Sequence, residues 1–271
     1  MSERIAFIGG GNMASAIIGG LIKQGGSPQN IDVVEPSVEA RNQLHSSFGV
    51  AAQAQATEAL ASAGLVVWAV KPQTFKEAAL AAAPFTAQAL HLSVAAGIKT
   101  DSMAAWLGSE RIVRAMPNTP ALVGKGISGL FARAGASAQD RARVAQVMGT
   151  TGEFLWLDTE DQLDVVTALS GSGPAYVFYF MEAMTMAGTE MGLSREQAHQ
   201  LAVATFAGAS DLAKTSADTP QVLRQRVTSK GGTTAAAISS MEDNDVRALF
   251  IDAMYAARER AKKLGNEFGA A

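Results

Sequence analysis

The sequence predicts an α/β chain in which a doubly wound parallel sheet is followed by an all-helical domain. Three observations carry that prediction. Short apolar, β-branched runs alternate with helical stretches through the first half. A glycine-rich turn stands directly after the first run, at residues 9–11. Beyond about residue 161 the strand patterns stop and long helical ones take over. Alternating strand and helix implies parallel pairing through right-handed crossovers. The change of texture divides the chain into domains 1–162 and 163–271.

The first strand, residues 5–8, is the continuous apolar run Ile5, Ala6, Phe7, Ile8, as a strand buried on both faces requires. A helix over 12–24 follows, closed by Gly25 and Gly26. Strand 31–35 leads to helix 38–48, strand 65–70 to helix 75–83, and strand 89–95 comes next. Shorter segments at 103–107, 112–115, 126–132 and 154–157 complete this half. In the second half Pro174 suits a first helical position and opens a helix over 175–191, with Gly192 just past its end. Ser194 and Gln197 form a capping box for a helix to about residue 215. Thr219 and Pro220 start a helix over 221–227, and a last helix covers about 245–263.

Only 17% of the 271 residues are charged, whereas globular domains usually carry about 25%. Either the chain enters a membrane or it buries surface against copies of itself. The longest charge-free stretch, 78–98, is alanine-rich, broken by Pro84 and dotted with Thr86, Gln88 and His91, so it is no spanning helix. Met1, Ser2, Glu3 and Arg4 run straight into the first strand without a signal-peptide core, and the expectation is a cytoplasmic protein with no membrane partner. A net charge of −3 argues against nucleic acid. The absence of cysteine removes thiolate metal sites and a cysteine nucleophile, suits a reducing compartment, and leaves no metal-ligand cluster in view. Residues 165–181 carry no charge, and the helix through Tyr176, Val177, Phe178, Tyr179, Phe180 and Met181 is apolar on nearly every side. Such a helix must be enclosed. A partner subunit is the natural cover, with an ordinary core helix as the alternative.

Gly9, Gly10, Gly11, Asn12, Met13 and Ala14 follow Ile8 in the pattern G-x-G-x-x-A, opening into a helix. Gly9 permits the tight turn, Gly11 lets backbone approach a pyrophosphate, and Ala14 keeps the helix close to the sheet. The helix N-terminus offers free N–H groups to phosphates. Glu35 stands 21 residues beyond Ala14 at the end of the second strand, where an acid grips the adenine-ribose hydroxyls in NAD sites. The domain is therefore expected to be Rossmann-like and to bind a nicotinamide dinucleotide, the alternative being a glycine-rich turn with no ligand. A carboxylate at Glu35 would repel a 2′-phosphate, so NADH is expected to serve at least as well as NADPH. The competing reading makes Glu35 a solvated strand-end acid, with Arg41 reaching a phosphate.

Four further stretches act together: Ala69-Val70-Lys71-Pro72-Gln73, Arg114-Ala115-Met116-Pro117-Asn118-Thr119-Pro120, Ser170-Gly171-Ser172-Gly173-Pro174-Ala175-Tyr176 and Val227-Thr228-Ser229-Lys230-Gly231-Gly232-Thr233-Thr234. With them the chain resembles the pyrroline-5-carboxylate reductases from its first strand almost to its C-terminus. The resemblance implies NAD(P)H-dependent reduction of the C=N bond of Δ1-pyrroline-5-carboxylate to L-proline, the last step of proline biosynthesis. It also implies dimers interlocked through the helical domain, assembled into a decamer in many relatives, with a substrate site that a second chain can complete.

Physical readings stand beside that implication. Ala69, Val70, Lys71 and Pro72 lie at the carboxyl end of a strand, where a doubly wound sheet binds ligands. Lys71 then sits near the cofactor's ribose and phosphates, or else is a solvated loop lysine. Ala95, Ala96 and Gly97 are small enough for backbone to approach a flat ring, and in the resembling family they lie by the nicotinamide. Asn118 and Thr119, pinned between Pro117 and Pro120, make a rigid polar turn that either orients the nicotinamide or is purely structural. Ser229, Gly232, Thr233 and Thr234 occupy a glycine-containing loop entering a helix, which can hold a carboxylate, and the family uses that loop for the substrate carboxylate. Many relatives have proline where Lys230 stands, and Lys230 either attracts the anion or faces solvent. Thr167, one turn before residues 170–173, is the candidate catalytic hydrogen-bonding group near the ring nitrogen. Two alternatives compete: a β-hydroxyacid dehydrogenase, for which only Lys263 with Asn266 has comparable spacing, and a non-catalytic nicotinamide-binding sensor.

Overall fold

The computed structural model describes residues 4–269, so the expectation for Met1, Ser2 and Glu3 falls outside the described residues. Two compact units emerge. The first takes the residues up to Ser172 together with those from Ala257 onward, and the second is Gly173–Ala256.

The first unit begins with β1 (Arg4–Ile8), α1 (Asn12–Lys23), β2 (Ile31–Val34), α2 (Val38–Phe48) and the short β3 (Ala52–Gln53). It continues through β4 (Ala63–Trp68), α3 (Pro72–Thr86), β5 (Leu90–Ser93), α4 (Thr100–Leu107) and β6 (Ile112–Met116). Then come β7 (Gly126–Ala132), α5 (Ala138–Met148), β8 (Gly152–Trp156), α6 (Gln162–Val166) and a π-helical turn, Thr167–Gly171. The eight strands form one sheet in the order β3-β2-β1-β4-β5-β6-β7-β8. The order reverses between β1 and β4, and that switch point is where such sheets bind ligands.

The apolar run of the first strand has a simple cause. Successive side chains point to opposite faces. Ile5 and Phe7 enter a core with Ile17, Ile18 and Leu21 of α1, while Ala6 and Ile8 enter a second core with Trp68, Phe75 and Ala79. Both faces are covered, so no polar position alternates.

Two features depart from the sequence expectation. The sheet is not wholly parallel, because β7 runs antiparallel to β6. The connection between them is a 3-10 turn, Thr119–Val123, closed by Gly124 at φ 70°. It is too short for the crossover helix that parallel strands need. The units also differ from a division at 162/163. Val166 packs so closely on β7 that a Cβ on Gly129 would lie 2.9 Å from its Cγ2, and Gly171 abuts Met116. Residues 163–172 and those from Ala257 onward fall in the sheet-bearing unit.

The second unit holds α7 (Gly173–Glu190), α8 (Arg195–Thr215), α9 (Pro220–Arg226), α10 (Thr233–Asp243) and the first turns of α11 (Val246–Gly269). The Ser194 and Gln197 capping box is present, and Thr219 caps α9 ahead of Pro220. Tyr176 and Phe180 both meet Phe250 edge-on, at ring-centroid distances of 5.6 and 5.7 Å. Phe178 and Tyr179 nevertheless remain 62% and 70% exposed on the single chain, so α7 is no ordinary core helix. No helix of the described residues is long and apolar enough to cross a membrane.

Candidate active site

The glycine turn is fixed by the sheet. Gly9 adopts φ 98°, and a Cβ there would lie 2.6 Å from the Ala69 carbonyl oxygen, so an L side chain is excluded twice over. Its N–H donates to Val34 O at 2.8 Å. Gly10 N donates to Glu35 Oε2 at 2.8 Å, and Leu44 Cδ1 crowds the position a Cβ would take. Gly11 is different. It is the N-cap of α1, it has no side-chain cap, and a Cβ placed on it would meet nothing within 4 Å. The first N–H groups of α1 therefore open onto free space, which fits a diphosphate.

A cleft of about 750 Å³ lies there. Ile8, Gly9, Gly11, Glu35 and the Ala69, Val70 and Lys71 segment form its walls, and Ala78, Ala81 and Ala82 of α3 form an alanine floor. Strand β4 ends at Trp68, so Ala69, Val70 and Lys71 form the loop into α3, which opens at Pro72. Lys71 is exposed at the N-cap of α3. Asn12 and Met13 are the first residues of α1.

The Glu35 carboxylate holds the turn as well as facing the cleft. Besides Gly10 N, it accepts Ser37 N at 2.8 Å through Oε1. Arg41 Nη1 donates to the carbonyl oxygens of Glu35 and Pro36, each at 2.8 Å. The guanidinium is thereby anchored beside the strand end that the sequence assigns to the ribose.

The remaining residues of the first unit lie further along the sheet and are not in the walls of that cleft. Ala95, Ala96 and Gly97 form the turn between β5 and α4, with Ala95 N donating to the buried Ser93 Oγ at 3.2 Å and Gly97 at φ 72°. Asn118 is buried, and its Oδ1 accepts Ile127 N at 3.0 Å, so one end of its carboxamide pins β7. Pro120 occupies the first turn of the following 3-10 segment. Thr167 opens the π turn and donates its hydroxyl hydrogen to Leu163 O at 2.7 Å, which leaves its oxygen as an acceptor. Single-turn π segments recur at functional sites.

Sequence reasoning missed Glu160. Its Oε1 accepts Thr100 N and Arg114 Nη1, each at 2.8 Å, and its Oε2 accepts Thr100 Oγ1 at 2.6 Å. The carboxylate thus holds the start of α4 to a buried arginine. One turn beyond lies Asp164, whose carboxyl is pushed up by burial and drawn back by Arg114. No motif flags either acid, because their partners are distant in sequence.

In the second unit, the candidate substrate loop is a short cradle. Gly231 turns left-handed at φ 73°, and Gly232 N donates to Ser229 O at 3.0 Å. Gly232 is the N-cap of α10 without a side-chain cap, and a Cβ on it would lie 2.6 Å from Ser229 Oγ. Thr233 and Thr234 open the helix, and Lys230 is exposed. Lys263 and Asn266, the pair a β-hydroxyacid dehydrogenase would require, are both exposed on α11.

Residues 160–264 match the family model described as pyrroline-5-carboxylate reductase dimerisation, and residues 4–97 match one described as NADP oxidoreductase coenzyme F420-dependent. Over 270 residues the chain is 47% identical to a pyrroline-5-carboxylate reductase of Pseudomonas aeruginosa, covering 99% of each. The chain belongs to the pyrroline-5-carboxylate reductase family. The Arabidopsis thaliana pyrroline-5-carboxylate reductase is 38% identical over 265 residues, covering 97% of this chain and 96% of that one. Among solved structures, the pyrroline-5-carboxylate reductase of Coxiella burnetii superposes with a TM-score of 0.90 at 39% identity, covering 97% of this chain and 99% of that one. That of Plasmodium falciparum, solved with NADP bound, superposes with a TM-score of 0.87 at 30% identity, covering 97% and 98%. For this reductase-family chain the fold, its two sequence halves and its full length all agree with those relatives.

Proposed function

We propose that the chain reduces the C=N bond of Δ1-pyrroline-5-carboxylate to L-proline with NAD(P)H, as the last step of proline biosynthesis in the cytoplasm. The observation that carries this reading is a pair of uncapped, glycine-lined helix N-termini, at Gly11 and at Gly232, on a chain of this family. One suits a diphosphate and the other a carboxylate.

NAD(P)H, when bound, supplies the hydride that the imine carbon accepts. The chain's own residues bind and orient. Gly9, Gly10 and Gly11 with Asn12 and Met13 cradle the phosphates, and Ile8, Glu35 and residues 69–72 line the adenosine side. Ala95, Ala96 and Gly97 give the nicotinamide a flat backbone seat, with Asn118 and Pro120 beside it. Ser229, Gly232, Thr233 and Thr234 hold the substrate carboxylate through backbone N–H groups and hydroxyls. Thr167 accepts a hydrogen bond from the protonated ring nitrogen, because its own hydrogen is committed to Leu163 O. Thr167→Val should lower kcat/KM about tenfold, and full activity would remove the residue from this role.

The Glu35 carboxylate, held by Gly10 N and Ser37 N, supports use of NADH as well as NADPH. A strong NADPH preference in kcat/KM would instead assign Arg41 to a 2′-phosphate. Self-association through the helical unit follows from the family model, and the exposed Phe178 and Tyr179 support it. Assembly of dimers into a decamer is tested by sedimentation at micromolar protein.

The experiment is direct. The loss of NADH and NADPH absorbance is followed with pyrroline-5-carboxylate, with proline identified as product. Retained cofactor binding without substrate-dependent oxidation would overturn the reductase reading.

A further inference from the structure

We infer that the C-terminal end of α11 positions the nicotinamide-side turn, and that Gly265 is the residue through which it does so. This rests on the reading that residues 95–97 seat the nicotinamide.

The turn is held at both ends by polar contacts. Its entry is fixed where Ala95 N donates to Ser93 Oγ, and its exit where the Glu160 carboxylate accepts Thr100 N and Thr100 Oγ1. The middle of the turn is held differently. A Cβ on Gly97 would lie 3.3 Å from Leu264 Cβ, 3.5 Å from Leu264 C and 3.7 Å from Gly265 N. Gly97 therefore lies against Leu264 and the Gly265 amide of α11, and its φ of 72° is left-handed backbone that favours glycine.

The helix is built for that approach. Ala261, Gly265 and Phe268 recur at helical spacing on one face. Ala261 and Gly265 are buried, and Phe268 packs against the core that contains Ala95, Ile98 and Met103. Ser102 Oγ of α4 donates to Gly269 O at 2.9 Å, closing the helix end. Lys262 and Lys263 on the same turns are exposed. The space at Gly265 is graded. A Cβ there would sit 3.6 Å from Lys99 Cε and 3.8 Å from Gly97 O, which is ordinary contact. Alanine fits, whereas a leucine reaches further toward the Lys99 side chain and the Gly97 carbonyl, and its expected effect is to shift the Gly97 turn.

The test compares Gly265→Leu with Gly265→Ala in the full-length chain. Kd is measured for NADPH and for ADP-ribose, which lacks the nicotinamide, and kcat and KM are measured with pyrroline-5-carboxylate. Displacing the seat by about an ångström should lower kcat on the order of tenfold or more in Gly265→Leu. Its Kd for ADP-ribose should stay unchanged, and Gly265→Ala should match the parent. Loss of ADP-ribose and NADPH binding together, or a Gly265→Leu enzyme with the parent's kcat and KM, would overturn the inference. If Gly265→Leu fails to fold, Ser102→Ala frees the helix end alone and is read the same way, with a several-fold drop in kcat expected and parental kinetics overturning the inference. A parent chain that binds NADPH but does not turn over would be a failure of the reductase reading, which is a distinct outcome.

Discussion

The two glycine-lined helix starts use the same device in different surroundings. At residues 9–11 the turn is locked by the sheet, with Gly9 N on Val34 O, Gly10 N on Glu35 and the Ala69 carbonyl against Gly9. At residues 229–234 the loop is local, closed by Gly232 N on Ser229 O, and Ser229, Gly231 and Thr233 are exposed. The proposed phosphate site, inside a doubly covered sheet, inherits its rigidity from the core. The proposed carboxylate site, on a loop of the helical unit, is shaped by a few residues, so its geometry should be alterable without cost to the sheet.

That contrast sets the expected sizes of four effects. Gly9→Val should be the most damaging, because it combines a forbidden φ with a clash against backbone. A loss of about 4 kcal/mol in stability is expected, together with loss of NAD(P)H binding. Chemical denaturation and cofactor titration would check it, and a stable, cofactor-binding variant would refute the account of the turn.

Acid should come next and should strike the sheet. His91 in β5 is wholly buried, accepts Trp68 Nε1 at 3.2 Å, and is pushed down from 6.5 to about 4, chiefly by burial and secondarily by Arg111. The unfolded chain thus takes up this proton first. Stability is full above about 6.5 and falls as pH drops toward 4, by about 3 kcal/mol at the limit. His91→Gln keeps an acceptor for Trp68 and should flatten that slope in denaturation measured across the same window. An unchanged slope would show that other groups govern acid unfolding.

Gly232→Val should act on substrate alone. Its Cβ would push the Ser229 hydroxyl out of the cradle, raising KM for pyrroline-5-carboxylate on the order of tenfold or more, while Kd for NADPH and the melting temperature stay near the parent's. Weakened cofactor binding in that variant would break the separation of the two cradles. Lys230→Ala should be the mildest change, within about twofold in kcat/KM, since a solvated charge contributes little. A larger rise in KM that grows at low salt would show that Lys230 attracts the substrate anion.

Local features were legible before the fold was known. The apolar run at 5–8, the G-x-G-x-x-A turn, and the caps at Ser194 and Thr219 each state their structure within a few residues. Backbone conformation, helix capping and burial on two faces are short-range demands, and residue type alone expresses them. The same holds for the uncharged face of α7, whose need for cover is written in its composition. What the tertiary structure decided depends on partners far apart in the chain. The Glu160 bridge from Thr100 to Arg114 and the seating of Gly97 against Leu264 and Gly265 have no local signature. Each arises when packing brings together groups whose separation in sequence carries no periodicity, and so each became visible only once the chain was folded.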